Sequence, residues 1–108
     1  MKPVVPRVRA DFDIRETTTW YAEHAGGETA LGFIDDLEQA FGQLSSTPGI
    51  GSPRWATELQ IPGLRGWSLT RHPHTVFYIE HSTRIDVLRV LHHRRDVSPR
   101  FSAEHGLG

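Results

Sequence analysis

Arginine and histidine are crowded into one stretch of this 108-residue chain. Residues 64–100 hold seven arginines against three acids, a net charge of +4, while residues 1–63 hold five cations against nine acids, a net −4. Lys2 is the only lysine. A basic region built from arginine alone suits planar, bidentate contacts to carboxylate or phosphate. Arg65, Arg71, Arg89, His92, His93, Arg94 and Arg95 are the residues whose types could do chemistry. Together they could hold an RNA phosphate and stabilise a developing negative charge, with His92 as general acid or base. They could equally dock an acidic protein, or form a solvated basic face with no specific partner. Arg89 has a further reading, as a mid-strand arginine paired with a helix acid. Trp67 and Tyr78 have one as core packing.

Other chemistries find little support. The seven histidines include only two close pairs, His72-x-His74 and His92-His93. In a strand the second pair points to opposite faces, and no carboxylate stands at the spacing of a familiar zinc motif. There is no glycine-rich phosphate loop, no Gly-x-Ser-x-Gly elbow and no paired carboxylate in an apolar setting. With no cysteine, neither a disulfide nor a thiolate metal site can form. No metal and no cofactor are expected. No run of about 18 apolar residues offers a membrane span, and Met1–Arg7 lacks the apolar core of a secretory signal. A reducing cytoplasm is the simplest compartment.

The cationic residues need a frame, and two apolar runs supply it. Thr75–Ile79 and Ile85–Leu91 have strand length and are rich in β-branched and aromatic residues, with a polar loop, Glu80–Arg84, between them. The second run is apolar at Ile85, Val87 and Leu91 on one face and at Leu88 and Val90 on the other, which places it centrally in a sheet. Leu64–Arg71 reads as a third strand, with Arg65, Trp67, Leu69 and Arg71 on one face.

Upstream, Val4–Ala10 is a candidate strand, kept to an edge or started late by Pro6. Asp11 or Asp13 is expected to cap a helix, Asp13 with Glu16 at capping-box spacing. Ile14, Thr17, Tyr21 and Ala25 form its apolar face, and Gly26-Gly27 ends it. A second helix opens at Glu28 and carries the stripe Leu31, Ile34, Leu37, Phe41 and Leu44, joined by Ala30 and Phe33. Its acids, Asp35, Asp36 and Glu38, read as a solvated face, and it stops before Ser45. Pro48–Pro62 is a Pro- and Gly-rich connection whose Trp55 folds back on the core. The fold class is α+β: an N-terminal strand and an antiparallel helical hairpin packed on a mostly antiparallel sheet. One domain is expected over residues 1–98, with a loose tail at 99–108.

The ordered set of short motifs resembles the ParE/RelE superfamily of type II toxins, and its ParE branch more closely. The residues that carry the resemblance are Ala10–Ile14, Ala30…Phe33…Leu37, Pro48–Gly51, Gly63–Arg65, Pro73–Tyr78, and Ile85–Leu91 running into His92, Arg94, Arg95 and Asp96. The resemblance implies a toxin held inactive by a co-expressed antitoxin. ParE toxins act on DNA gyrase. RelE toxins cut messenger RNA on the ribosome with basic residues and usually a tyrosine near the C-terminus. This chain has no tyrosine after Tyr78 and no lysine in the connection before Leu64. The expected function is therefore a gyrase inhibitor without catalysis of its own. Two alternatives stand beside it: an endoribonuclease using Arg65, Arg89 and His92, and an inactive fold that only binds an antitoxin. Arg65, Trp67, Arg71, Arg89, His92, Arg94 and Arg95 are the residues expected to meet target or antitoxin. Direct nucleic-acid binding is expected only of the endoribonuclease. The antitoxin is expected to wrap the toxin with a segment that folds on binding, its acids meeting the arginines and its apolar side meeting a rim between helices and sheet.

Overall fold

A computed structural model describes residues 1–93. Arg94, Arg95 and the tail at 99–108 lie outside the described residues. The chain runs through β1 (Val4–Pro6), α1 (Val8–His24), α2 (Gly27–Ser46), a single 3-10 turn (Pro48–Ile50), α3 (Arg54–Glu58), β2 (Leu64–Ser68), β3 (His74–Glu80) and β4 (Ile85–His92). The strands form one sheet in the order β1-β4-β3-β2. Three neighbours are antiparallel in sequence, β2 to β3 to β4, and β1 joins β4 in parallel. Helices on a mostly antiparallel four-stranded sheet make the fold α+β, with β4 inside the sheet as its two-sided apolar pattern requires.

Pro6 does end β1 at an edge, but the helix that follows starts earlier than the capping pattern suggests. The Arg7 N–H donates to the Val87 carbonyl at 2.9 Å, closing the parallel pairing, and the Arg7 carbonyl accepts the Asp11 N–H at 2.9 Å. Helix therefore begins as soon as strand pairing stops, with Arg7 as an N-cap that makes no side-chain bond. Asp11 and Asp13 lie inside α1 and cap nothing. The turn into α2 depends on Gly26, whose φ of 95° is left-handed backbone that a side chain would strain. The second helix buries its stripe from Ala30 and Phe33 through Leu44, but Leu31, read as part of it, is 67% exposed, and the helix runs two residues beyond its expected end, through Ser45 and Ser46.

The hairpin of α1 and α2 covers one sheet face. Phe33, Leu37, Ala40 and Leu44 from α2 and Ala10 from α1 bury against Val76, Tyr78, Ile85, Val87 and Val90. The other face carries a smaller cluster, Leu64, Phe77 and Leu91, closed by Leu59 and Ile61 with Trp55 packed beside it. The connection Pro48–Pro62 is thus not bare loop: its α3 roofs the second face.

The expected face assignment of β4 needs one correction. Ile85 and Val87 do share a face, but Val90 joins them and Leu91 packs with Leu88 on the opposite side. The register shows why. Tyr78 pairs with Val87 and Phe77 with Arg89, so Leu88 is an extra residue in a β-bulge. One inserted residue reverses the alternation beyond it.

Candidate functional site

Two acids, Asp13 read from sequence as a helix cap and Asp36 as solvated helix surface, instead lie inside and reach a strand and a turn of the sheet. Asp13 of α1 is 9% exposed and Arg89 of β4 is 7% exposed. The Arg89 Nε donates to Asp13 Oδ2 at 2.7 Å and Nη2 to Oδ1 at 3.0 Å, a fork-on-carboxylate pair. The Val90 N–H adds a third bond to Oδ2 at 3.1 Å. The arrangement straps α1 to β4. Of the two readings open for Arg89, the geometry gives the strand arginine paired with a helix acid.

Asp36 of α2 plays the matching part at the turn between β2 and β3. It accepts the Thr70 N–H at 3.2 Å, the Arg71 N–H at 2.9 Å and His72 Nδ1 at 2.7 Å. Burial pushes its carboxyl up, but the His72 bond and the two backbone donors outweigh that and hold it below the usual carboxylate range. The solvated acidic face expected for α2 is therefore interrupted: Asp36 ties α2 to the turn between β2 and β3.

The remaining candidates divide between internal contacts and the surface. Arg65 of β2 donates from Nη1 to the carbonyls of Gly51 at 2.9 Å and Gly49 at 3.3 Å, holding the chain after α2. Tyr78 grips the same segment, donating to Pro48 O at 2.7 Å and accepting the Gly51 N–H at 2.9 Å. Burial pushes its phenol up, so it stays a neutral donor. Trp67 packs beside the main core and donates its indole N–H to Gln43 Oε1 at 3.0 Å. Arg71 stands exposed on the turn, and His93 is exposed just past β4. His92 is half-buried in a line of rings, 5.5 Å from His74 and 5.9 Å from His93. Tyr21 and Phe33 meet His72 and His74 at ring distances of 5.1–6.2 Å. No group of three or more metal-ligating side chains forms among the described residues.

The structure thus brings Arg65, Trp67 and Arg89 to the same side of the sheet, but turned to the helices and the loop after α2. It does not bring them together as an open basic platform. Arg94 and Arg95 are outside the described residues. What sequence reasoning missed is the pair of buried acids, and a signal was present. Asp13 sits three residues from Ala10, and Asp36 three from Phe33 and four from Ala40, both on apolar stripes.

The match to known proteins follows this frame. The family profile described as ParE toxin of type II toxin-antitoxin system, parDE, matches residues 4–97. The chain belongs to the ParE toxin family. It is a ParE-type toxin of a type II toxin–antitoxin system. Among solved structures it is similar to the chromosomal ParDE toxin–antitoxin system from P. aeruginosa. That match has a TM-score of 0.69 and 23% identity, and covers 83% of this chain and 94% of the other. A search of curated proteins returns no match. The matched span takes in β1 to β4, both long helices and both straps, so the buried acids belong to the toxin's frame. No helix among the described residues is long and apolar enough to cross a membrane.

Proposed function

We propose that the chain inhibits DNA gyrase in the cytoplasm, without catalysis of its own, and is neutralised by a cognate antitoxin. Membership of the ParE family carries this reading. The fate of the ribonuclease candidates supports it. A group that must meet a scissile phosphate has to reach it, and Arg89 is buried against Asp13 while Arg65 is bonded to two carbonyls. Arg71, His93 and the adjoining Arg94 and Arg95 are the cations offered to gyrase or to antitoxin acids.

An apolar surface suited to the antitoxin stands on α1. Val8, Phe12 and Trp20 are exposed at helical spacing, and a groove of about 470 Å³ runs beside Phe12 and Trp20 between Arg15 and Glu23. An amphipathic segment folding on binding would bury that stripe. Expression of the chain alone should arrest growth and leave a reporter plasmid relaxed. Co-expression with its cognate antitoxin should relieve both. Unhindered growth would reject toxicity. Arrest with normal plasmid supercoiling and fresh cleavages in translated messages, mapped by primer extension, would reject gyrase in favour of the ribosome.

A further inference from the structure

The sheet face away from the helical hairpin holds a second site, in which Ser52, Arg54, Ser68 and Thr75 take no part in the reading above. Where α3 leans over β2 and β3, it leaves a hollow of about 340 Å³. Ser52, Arg54, Trp55, Ser68, Thr75 and His93 line it. Ser68 and Thr75 face each other across β2 and β3, their hydroxyls 3.4 Å apart. Gly66 makes room for the hollow's aromatic wall: a Cβ there would stand 2.5 Å from Trp55 Cδ1.

The chemistry of this lining is one-sided. Among the described residues it offers a guanidinium, an imidazole, an indole N–H and three hydroxyls, and no carboxylate. The Arg54 guanidinium lies 4.5 Å from the centre of the Trp55 ring, which holds it in place by cation–π attraction. Neither that guanidinium nor the Trp55 Nε1–H has a hydrogen-bond partner among the described residues. The Ser52 hydroxyl accepts the Arg54 backbone N–H at 3.3 Å, so its own hydrogen is free to be given elsewhere. Donors thus outnumber acceptors around an open volume, the reverse of a cation site.

We propose that this hollow binds a phosphomonoester through its phosphoryl group. A carboxylate can take the Arg54 fork and a further donor, as Asp13 does with Arg89 and Val90, but its acceptor sites lie in one plane and do not fan out to α3, β2 and β3 together. A tetrahedral phosphoryl group has enough oxygens to meet donors arriving from α3, β2 and β3 at once. The volume exceeds that of the phosphoryl group itself and leaves room for what it is attached to. Base stacking does not drive the recognition, because Arg54 covers one face of Trp55 and the Phe77 ring meets it edge-on at 5.2 Å. The site is independent of the gyrase reading: it uses none of the cations assigned there except His93, and needs no toxic activity to be seen.

The test is an NMR titration of the whole chain, labelled with ¹⁵N, following its three indole N–H signals. The Trp55 signal is assigned by its loss in Trp55→Phe. The probes are inorganic phosphate and adenosine monophosphate, with chloride at matched ionic strength. The expected result is a saturable shift of the Trp55 signal, with Trp20 and Trp67 unmoved. Arg54→Ala should weaken binding at least about tenfold, as expected for one lost charge-assisted contact, and Arg71→Ala should leave it unchanged. A shift with both probes identifies the phosphoryl group as sufficient, and a shift with the monophosphate alone adds a contribution from its ester side. Ser68→Ala, which removes one hydroxyl and no charge, should weaken binding less than Arg54→Ala. No shift with either probe at tens of millimolar, an equal shift with chloride, or full affinity in Arg54→Ala would overturn the proposal.

Discussion

Arg89 lies 2.7 Å from Asp13 beneath the helical hairpin, whereas Arg54, on the other side of the same sheet, rests against an indole with no ion-pair partner among the described residues. Both belong to a chain that uses arginine for almost all its positive charge. The difference lies in what covers each face. Two long helices bury the first, and a cation under them is tolerable only with an acid in place. Asp13 and Asp36 meet that need and, by doing so, tie each helix to a strand or turn. Among the described residues the second face has only the short α3 over Leu64, Phe77 and Leu91, and Arg54 and Ser68 beside it are exposed. One face is a frame; the other has groups to spare for a ligand.

Mutations can break that contrast, the strongest at the buried pair. Arg89→Ala leaves the Asp13 carboxylate buried without its counter-charge, and should lower unfolding free energy by about 3–5 kcal/mol in a denaturant titration. Asp13→Leu with Arg89→Met should recover most of this, since a packed apolar pair replaces a buried ion pair at little cost. A double variant as unstable as Arg89→Ala would show that the pair is not a unit.

Asp36→Asn should cost about 2 kcal/mol, through loss of charge on an acceptor serving three donors. It should also change the acid limb. Because the folded Asp36 carboxyl titrates below the ordinary value of about 3.9, its stabilising effect is complete above that value and is lost as pH falls through the lower, folded one. Asp86, held low chiefly by its Arg84 hydrogen bond, behaves the same way. The wild-type chain should therefore lose stability progressively below about pH 4, and Asp36→Asn should flatten that loss without abolishing it. An unchanged slope would remove Asp36 from the frame.

On the second face the effects shrink. Gly66→Ala forces Trp55 aside and should cost about 1–2 kcal/mol by overpacking, with a shift in tryptophan emission. Arg54→Ala, which removes an exposed cation, should change stability by less than about 0.5 kcal/mol. A large loss there would mean that both faces use their arginines alike.

Much of the frame was legible from residue pattern. The two apolar runs became β3 and β4, the Leu37–Leu44 stripe became the core side of α2, and Pro6 marked an edge. Each rests on a local rule that tertiary packing did not oppose. The errors have tertiary causes. A bulge at Leu88 is invisible to a period-2 reading, because it is set by pairing with β3. Asp13 looks like a cap until the parallel pairing of β1 with β4 is known, which starts the helix at Val8. Asp36 looks solvated until the β2–β3 turn folds over it. The candidate site was the least legible part. Arginines at strand positions signal charge, but whether that charge faces outward depends on acids far away in sequence, Asp13 being 76 residues from Arg89. The hollow beside Trp55 depends on Ser52 and Arg54, in a segment that reads as connection.

Under the proposed gyrase function, the buried pair is frame and any grip on gyrase is exerted from the surface. Purified gyrase titrated with the wild-type chain, and in parallel with the Asp13→Leu, Arg89→Met variant shown to be folded by its cooperative unfolding, tests it most directly. Inhibition of supercoiling by both at closely similar concentrations is the predicted result. Inhibition by the wild-type chain but not by the folded variant, or by neither, would contradict it.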